Sequence, residues 1–174
     1  RTSYMLSKIY GEAMCLASNF QSIILRPHNL FGPRMGMKHV IPQLIKKIQH
    51  TKKGGSLGVY SPTHQRTFCF IKDAVEQIKM ILIKNCLNDS EIFNLGTQKP
   101  EIRMIDLAKK IIKITGREDI RVIKLEDTIG SPIRRCPNTS KLDTLTELKE
   151  RTDLDIALAE TYQWYIKHKK EYLE

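Results

Sequence analysis

The 174-residue sequence predicts an α/β protein, because segments with the apolar spacing of helices alternate with short apolar runs typical of strands. Residues 22–26 (S-I-I-L-R) form a continuous apolar run ended by Pro27, as expected for a buried parallel strand. Residues 104–115 have helical spacing and are followed by Gly116, a common signal for a helix C-terminus.

Helices are predicted wherever apolar residues recur every three to four positions. In chain order they span residues 3–19, 40–50, 73–85, 104–115, 141–147 and 155–172. Ser3 suits the N-cap of the first helix, and Asp73 suits the start of the third. The buried side of the third helix is expected to consist of Val75, Ile78, Ile81 and Leu82.

Strands are predicted from short apolar or alternating runs bounded by turn residues. In chain order they span residues 22–26, 57–60, 67–71, 91–95 and 119–124. Glycine, proline and asparagine residues predict a loop over 27–36, a turn at Gly54–Gly55 and an irregular loop over 129–137.

Length and composition are those of one globular domain, alone or with a small appendage. The net charge of +10 favours phosphorylated or polyanionic partners, although a solvated lysine-rich surface is the favoured explanation for it. The basic residues form no run of five or six, so nucleic acid is not expected as a partner. No apolar run approaches the 18 or more residues of a membrane span, so no membrane partner is expected.

The four cysteines and five histidines show no metal-ligand spacing, so we expect neither a metal site nor a disulfide framework, and we expect a cytoplasmic location. The sequence contains no glycine-rich phosphate-binding turn. Its first residue is Arg1 rather than Met, so we expect a processed product, a fragment or the ordered part of a longer protein.

Tyr4 and Lys8 lie four residues apart and so share one face of the first predicted helix. A nearby ammonium stabilises a phenolate, which is what a tyrosine general acid/base requires. The spacing also arises by chance, and an exposed tyrosine beside a solvated lysine is the alternative.

Several ordered motifs place this pair in a wider context. They are Y-M-L-S-K-I-Y-G-E, R-P-H-N-L-F-G-P-R-M-G, H-V-I-P-Q-L-I, L-G-V-Y…Q-R-T-F-C-F-I-K-D, F-N-L-G and G-S-P-I-R-R-C-P-N-T-S-K-L. In this order, and over essentially the whole chain, they resemble the extended short-chain dehydrogenase/reductases of the nucleotide-sugar epimerase/dehydratase family. The fourth motif resembles that family's hairpin.

The resemblance implies the C-terminal part of a Rossmann-like fold with its small α/β substrate-binding domain. Residues 1–36 would end the NAD-binding domain, and residues 37–174 would mainly form the sugar-nucleotide domain. Residues 66–95 would return to the Rossmann sheet. The family's serine or threonine catalytic partner and its glycine-rich NAD loop are expected upstream of Arg1.

For the catalytic end, the resemblance implies that Tyr4 is the acid/base and that Lys8 holds the nicotinamide ribose. Pro27 and His28 would lie at the nicotinamide end of NAD, where a backbone or packing role for His28 is favoured over a side-chain role.

For the substrate, the resemblance implies that Arg66 and Arg135 clamp the diphosphate, as guanidinium groups do well. Asn29 would donate to a diphosphate oxygen, the alternative being an asparagine that caps its own turn. Arg134 is expected to point elsewhere.

Further nucleotide contacts are implied for His39, Val40, Gly58, Tyr60 and Asn138. Tyr60 would stack on a pyrimidine base or simply pack in the core. Asn138 stands where the family typically has an aspartate that contacts ribose hydroxyls. Residues 142–154 lack the family's usual Gly-aromatic-x-Pro element.

The implied function is an NAD-dependent epimerase, dehydratase or decarboxylase acting on a UDP- or TDP-sugar through a 4-keto intermediate. The R-P-x-N-x-F-G-P-R-M motif is most similar to the UDP-glucuronate decarboxylase and 4-epimerase branches. The alternative is a non-catalytic sugar-nucleotide-binding module. We also expect association with the missing N-terminal half or with a second copy of the chain.

Overall fold

The computed structural model describes residues 2–84, 90–147 and 151–173, and it alternates helices and strands as an α/β protein. The helices are α1 (Thr2–Ala17), α2 (Val40–His50), α3 (Ile71–Lys84), α4 (Met104–Ile114), α5 (Ser140–Thr146), α6 (Leu154–Lys167) and α7 (Lys169–Tyr172). The strands are β1 (Ile23–Pro27), β2 (Leu30–Phe31), β3 (Ser56–Val59), β4 (Gln65–Arg66), β5 (Cys69–Phe70), β6 (Glu91–Leu95), β7 (Ile102–Arg103), β8 (Arg121–Lys124) and β9 (Arg134–Arg135). The predicted fold class is confirmed.

Most strand pairs in the described residues are parallel, as expected when helices connect successive strands. β1 runs parallel to β6, β2 to β5, and β3 to β8. β4 lies between β9, which is parallel to it, and β7, which is antiparallel. The β4–β9 pair joins segments almost 70 residues apart, and the candidate site is built on it.

Two hydrophobic clusters hold these elements together. The larger cluster joins α2, α4 and α6 beneath the strands β2 and β3, and its fully buried members include Ile48, Leu107 and Tyr165. The smaller cluster joins α3 and α5 to β1 and β6 and includes Phe93 and Leu142. Burying a side chain of this size stabilises the fold by about 1.5–3 kcal/mol.

The ends of several elements follow the sequence closely. α2 spans the predicted residues 40–50, and its apolar positions Ile41, Leu44 and Ile48 are all buried. α4 ends one residue earlier than predicted, and Gly116 follows with φ of +67°, a conformation that favours glycine. The Gly54–Gly55 turn and the strand over residues 91–95 are also confirmed.

Other predictions on the elements were wrong. Ser3 lies inside α1 rather than capping it, because the helix already includes Thr2. The predicted hairpin does not form, since β3 pairs with β8 while β4 pairs with β7 and β9. Two-residue strands lie inside the predicted loops at Leu30–Phe31 and Arg134–Arg135.

The packed face of α3 also differs from the predicted one. Ile81 is buried and Ile78 is partly buried, but Val75 and Leu82 are 53% and 62% exposed. The buried positions Ala74 and Gln77 define a packed face that is rotated about the helix axis by about a quarter of a turn from the predicted face. The closing helix is interrupted at His168, so that α6 and α7 are separate. The predicted end of α3 at Asn85 falls outside the described residues, as does Cys86.

In the described residues no helix is both long and apolar enough to cross a bilayer. Among the described residues, no three or more histidine, cysteine or acidic side chains come together in a group that could hold a metal ion.

Candidate functional site

A cleft of about 600 Å³ opens where α2, the end of β3, β4 and β9 meet. Its lining residues are Asn29, Val40, Gln43, Leu44, Lys47, Gly58, Val59, Tyr60, Ser61, Arg66, Phe68, Met104, Thr128, Gly130, Ser131 and Arg135. Six of the eight residues predicted to bind substrate are among them, and His39 and Asn138 are not. The fold therefore brings together positions that are spread over more than one hundred residues of sequence.

Arg66 and Arg135 are neighbours across the β4–β9 pair. Their Cα atoms are register partners in parallel strands, and so their side chains leave the same face of the sheet. Gln65 and Arg134 are the preceding register partners and face the opposite side. Alternation along two-residue strands is thus enough to direct one arginine of the Arg134–Arg135 pair to the cleft.

Arg66 is 9% exposed, and its guanidinium is held by neutral groups. Its Nη1 donates to the carbonyl oxygens of Gln65 at 2.7 Å and Ile133 at 3.3 Å, and its Nη2 donates to Ser131 Oγ at 2.9 Å. An arginine has five N–H donors, so in the described part of the chain two of them remain available to a ligand.

The charge of the cleft is uncompensated. Arg66, Arg135 and Lys47 line it, and no carboxylate is among its described lining residues. Burial, and then the neighbouring charge of Arg135, lower the pKa of Arg66 from its ordinary value. Two like charges side by side on a sheet are destabilising, so this arrangement favours an anion between them.

Arg134 points away from the cleft. Its Nε and Nη2 donate to the two carboxylate oxygens of Glu101 at 2.7 and 2.5 Å. The hydrogen bond from Arg134 lowers the pKa of Glu101, and the pair leaves Arg134 with its charge already matched.

Asn29 lies at the cleft with a left-handed backbone, φ +45°, which asparagine tolerates better than most residues. Its side-chain Nδ2 donates to the carbonyl oxygen of Thr67 at 2.9 Å, and its backbone carbonyl oxygen accepts from the backbone amide of Cys69 at 3.1 Å. One Nδ2 hydrogen of the two remains for a ligand. The side-chain amide of Asn29 therefore links the segment after β1 to the segment before β5 and does not cap its own turn. The role of Asn29 in binding substrate stays a prediction.

Tyr60 and Gly58 lie on the wall formed by β3. Tyr60 is 50% exposed, so its ring forms part of the cleft surface and is not packed in the core. Lys47 Nζ stands 6.0 Å from the centre of that ring. A Cβ atom at Gly58 would stand 2.6 Å from Leu125 Cδ1, so the side chain of Leu125 would have to shift to admit one.

His39 and Asn138 lie outside the cleft. His39 is exposed at the N-terminus of α2, where it makes no side-chain capping hydrogen bond. The Oδ1 of Asn138 accepts from the amide of Ser140 at 3.0 Å, and so it caps a local turn before α5. Their predicted contacts with a nucleotide remain predictions.

His28 extends the parallel pairing past Pro27, because its amide donates to the carbonyl oxygen of Leu95 at 2.9 Å. The imidazole is partly buried, and its buried Nδ1 has no hydrogen-bond partner in the described residues. Burial, followed by the charges of Arg135 and Arg66, lowers the pKa of His28. The ring is therefore neutral near pH 7 and lies within electrostatic reach of both arginines.

The His28 titration gives a prediction that needs no ligand. Because its folded-state pKa is below the unfolded value of about 6.5, the stability it contributes is present above that pH and is lost as the pH falls through the folded-state pKa. We expect Arg135→Ala to raise the pKa of His28 in an NMR titration, and Arg134→Ala to leave it in place. Equal values in all three proteins would contradict this electrostatic link.

Tyr4 and Lys8 lie side by side on α1, with Lys8 Nζ 5.4 Å from the centre of the Tyr4 ring. Tyr4 is 67% exposed, and α1 has no buried residue. Glu12, one turn further on, pairs with Arg26 of β1. The described contacts therefore do not pack the predicted catalytic pair against the cleft.

Several lining residues escaped prediction, Lys47 and Ser131 among them. Gln43 and Lys47 follow Val40 at helical spacing, so the face of α2 that carries Val40 was a usable signal. Ser131 lies in a loop with no such pattern, and its place at the cleft depends on its contact with Arg66.

The protein thus has a Rossmann-like α/β fold with a positively charged cleft where strands end. A sequence model of the NAD dependent epimerase/dehydratase family matches residues 1–96. The chain belongs to this family.

Curated relatives agree with this assignment over longer stretches. A probable GDP-L-fucose synthase 1 from Oryza sativa subsp. japonica is 27% identical over 95% of this chain and 52% of its own length. A dTDP-D-glucose 4,6-dehydratase from Mus musculus is 27% identical over 86% of this chain and 42% of its own length. The chain thus spans about half the length of these relatives.

Solved structures share the fold. A UDP-glucuronic acid 4-epimerase from Bacillus cereus, determined with UDP-glucuronic acid and NAD, matches with a TM-score of 0.81 at 23% identity. The match covers 95% of this chain and 52% of that protein. A dTDP-glucose 4,6-dehydratase from Streptomyces venezuelae, with NAD and TYD bound, matches with a TM-score of 0.78 at 21% identity, over 97% of this chain and 51% of that one.

Proposed function

We propose that the cleft binds the diphosphate of a nucleotide sugar, and that the chain serves an NAD-dependent epimerase, dehydratase or decarboxylase. The observation that carries this proposal is the Arg66–Arg135 pair, directed to one cleft whose described lining holds no carboxylate. A diphosphate would accept from both guanidinium groups and remove their mutual repulsion.

The rest of the cleft suits the nucleoside. The half-exposed ring of Tyr60 offers a stacking surface for a base, and Gln43 and Lys47 supply polar groups on the facing helix. A UDP- or TDP-sugar is the proposed substrate class. Three of the four proteins named above support it, since their names include dTDP-glucose or UDP-glucuronic acid, whereas the fourth is a GDP-L-fucose synthase.

The residues of α1 fit one end of NAD. Tyr4 and Lys8 stand together, so that Lys8 could hold the nicotinamide ribose while Tyr4 takes the proton of a sugar hydroxyl. NAD, when bound, supplies the hydride acceptor. The sequence has no glycine-rich turn for the dinucleotide phosphates, so the fit extends only to the ribose end.

A second candidate, a sugar-nucleotide-binding module without turnover, is favoured by the position of the catalytic pair. Tyr4 is 67% exposed on a helix with no buried residue, whereas the arginines of the cleft are already in place. The two candidates share the diphosphate site and differ in NAD binding.

Calorimetry on the 174-residue chain tests both candidates. We expect UDP to bind with micromolar affinity and uridine to bind far more weakly, because only UDP offers the arginines a diphosphate. Micromolar binding of NAD by the same chain would eliminate the module without turnover. If none of UDP, dTDP and GDP binds, the proposed function is wrong.

For partners, we propose that α1 is covered in the functional protein, either by a dinucleotide-binding half or by a second copy of the chain. Met5, Leu6 and Ile9 of α1 are 58%, 60% and 63% exposed, which is unusual for a helix of a folded protein. Cys15, Cys69 and Cys136 are free thiols, and a cytoplasmic location is proposed on that basis.

A further inference from the structure

We infer that His64 is a positioning residue that holds Arg66 in its diphosphate-binding orientation through Ser131. This inference rests on the proposed function and extends it to a residue outside the lining of the cleft. His64 lies in the turn between β3 and β4, two residues before Arg66, and is only 3% exposed.

The backbone of His64 is fixed on both sides. Its amide donates to the carbonyl oxygen of Ser61 at 3.0 Å, and its own carbonyl oxygen accepts from the amide of Met104 at 3.0 Å. The imidazole ring of His64 lies between two side chains of the loop that borders the cleft, Ser131 and Asp127. Nδ1 lies 3.3 Å from Ser131 Oγ, and Nε2 lies 3.5 Å from Asp127 Oδ2.

The direction of each hydrogen bond follows from its partners. An arginine can only donate, so Ser131 Oγ accepts from Arg66 Nη2. The serine hydroxyl proton is then free to be donated to His64 Nδ1 in the tautomer with its proton on Nε2, and the carboxylate of Asp127 near Nε2 favours that tautomer. Asp127 Oδ2 lies 3.5 Å from Nε2, which is an ion-pair distance. Arg66, Ser131 and His64 thus form one series of hydrogen bonds, and the carboxylate of Asp127 lies beside its end.

This series of hydrogen bonds orients the guanidinium of Arg66 without neutralising its charge. The carboxylate of Asp127 sits two groups away from the guanidinium, and the group in direct contact is a neutral hydroxyl. A carboxylate in the place of Ser131 would pair with Arg66 and compete with a diphosphate. The relay therefore fixes the geometry and leaves the positive charge for the ligand.

The same turn anchors the loop at its other end. The amide of Ser61 donates to the carbonyl oxygen of Glu126 at 3.1 Å, and Ser61 Oγ accepts from the amide of Thr128 at 2.9 Å. Thr128 and Ser131 both line the cleft. At the end nearest the arginine the loop is held by His64 on Ser131 and by the Gln65 amide, which donates to the carbonyl oxygen of Ile133 at 2.8 Å.

The test measures UDP affinity by calorimetry in His64→Leu, which keeps the bulk and removes both polar contacts. We expect binding about tenfold weaker, the size of one hydrogen bond to a charged network. His64→Gln should retain most of the affinity, because its Oε1 can still accept from Ser131. Thr63→Ala, at the exposed neighbouring position, serves as the matched control and should stay within about twofold.

A double-mutant cycle separates positioning from general stability. In an Arg66→Met background, His64→Leu should cause no further loss of UDP affinity, because the group it orients is gone. Additive losses would overturn the positioning role. Should His64→Leu fail to fold, Ser131→Ala cuts the same relay at the edge of the cleft and should show the same tenfold effect.

The failures of the two proposals are distinguishable. A wild-type chain that binds UDP, with His64→Leu or Ser131→Ala binding it equally well, overturns the positioning role alone. A wild-type chain that binds no nucleoside diphosphate overturns the positioning role together with the proposed function.

Discussion

Arg135→Ala should weaken UDP binding about 30-fold, while Arg134→Ala should leave it within about twofold. A hydrogen bond between charged partners contributes about 1.5–3 kcal/mol, and 2 kcal/mol corresponds to about 30-fold in Kd. The two residues are adjacent and chemically identical, and they project from opposite faces of β9, so that Arg135 lines the cleft and Arg134 pairs with Glu101.

The comparison is well controlled because neither side chain supports the core. Both arginines are exposed, and Arg134→Ala loses only a surface ion pair with Glu101, which solvent screens. Isothermal titration at constant ionic strength gives both affinities. Equal losses in the two variants would mean that general surface charge attracts the ligand, and a larger loss in Arg134→Ala would contradict the assigned faces.

Sedimentation should show that the chain self-associates through α1 and that Leu6→Gln with Ile9→Gln shifts it toward monomer. The apolar residues Met5, Leu6, Ile9, Met14 and Leu16 cover about half of the helix circumference, and all are about 50–60% exposed. Burial of each such side chain stabilises an interface by about 1.5–3 kcal/mol if it is complete. The single described ion pair from Glu12 to Arg26 is exposed and holds α1 weakly.

Lys8→Gln is the matched control for association, since Lys8 lies on the opposite face of the same helix. It should leave the sedimentation coefficient unchanged. Circular dichroism on each variant confirms that α1 remains helical. A compact monomer of the wild-type chain at high protein concentration would contradict the proposal that a second copy covers this face.

Much of the fold was predictable because its helices have strong local signals. α2 was predicted to the residue, since Ile41, Leu44 and Ile48 repeat at helical spacing and a polar turn follows. The strand over residues 91–95 is a short apolar run closed by a glycine, and it was predicted equally well.

The remaining elements depend on contacts that a local pattern does not contain. β4 and β9 have two residues each, too few for any periodicity, and they exist because segments 65–66 and 134–135 meet in space. The prediction of the packed face of α3 was wrong because Gln77 is fully buried. Its amide bonds to the backbone of Gly96 in both directions, whereas polarity alone places a glutamine outside.

The residues of the candidate site likewise fall into those that the sequence could predict and those that it could not. The resemblance of ordered motifs selected Arg66 and Arg135, and the register of β4 and β9 supplies the physical reason why they meet. His64 and Ser131 could not be selected from the sequence, because a histidine and a serine 67 positions apart carry no pattern. Asn138 was selected by its motif and lies at a local turn instead of in the cleft.

A crystal structure of the chain grown with UDP tests the central claim most directly. We expect the diphosphate between the guanidinium groups of Arg66 and Arg135, with the uracil ring against Tyr60. Arg66 should keep its hydrogen bond to Ser131 in that complex. UDP bound at any other surface, with the Arg66–Arg135 cleft empty, would contradict the account.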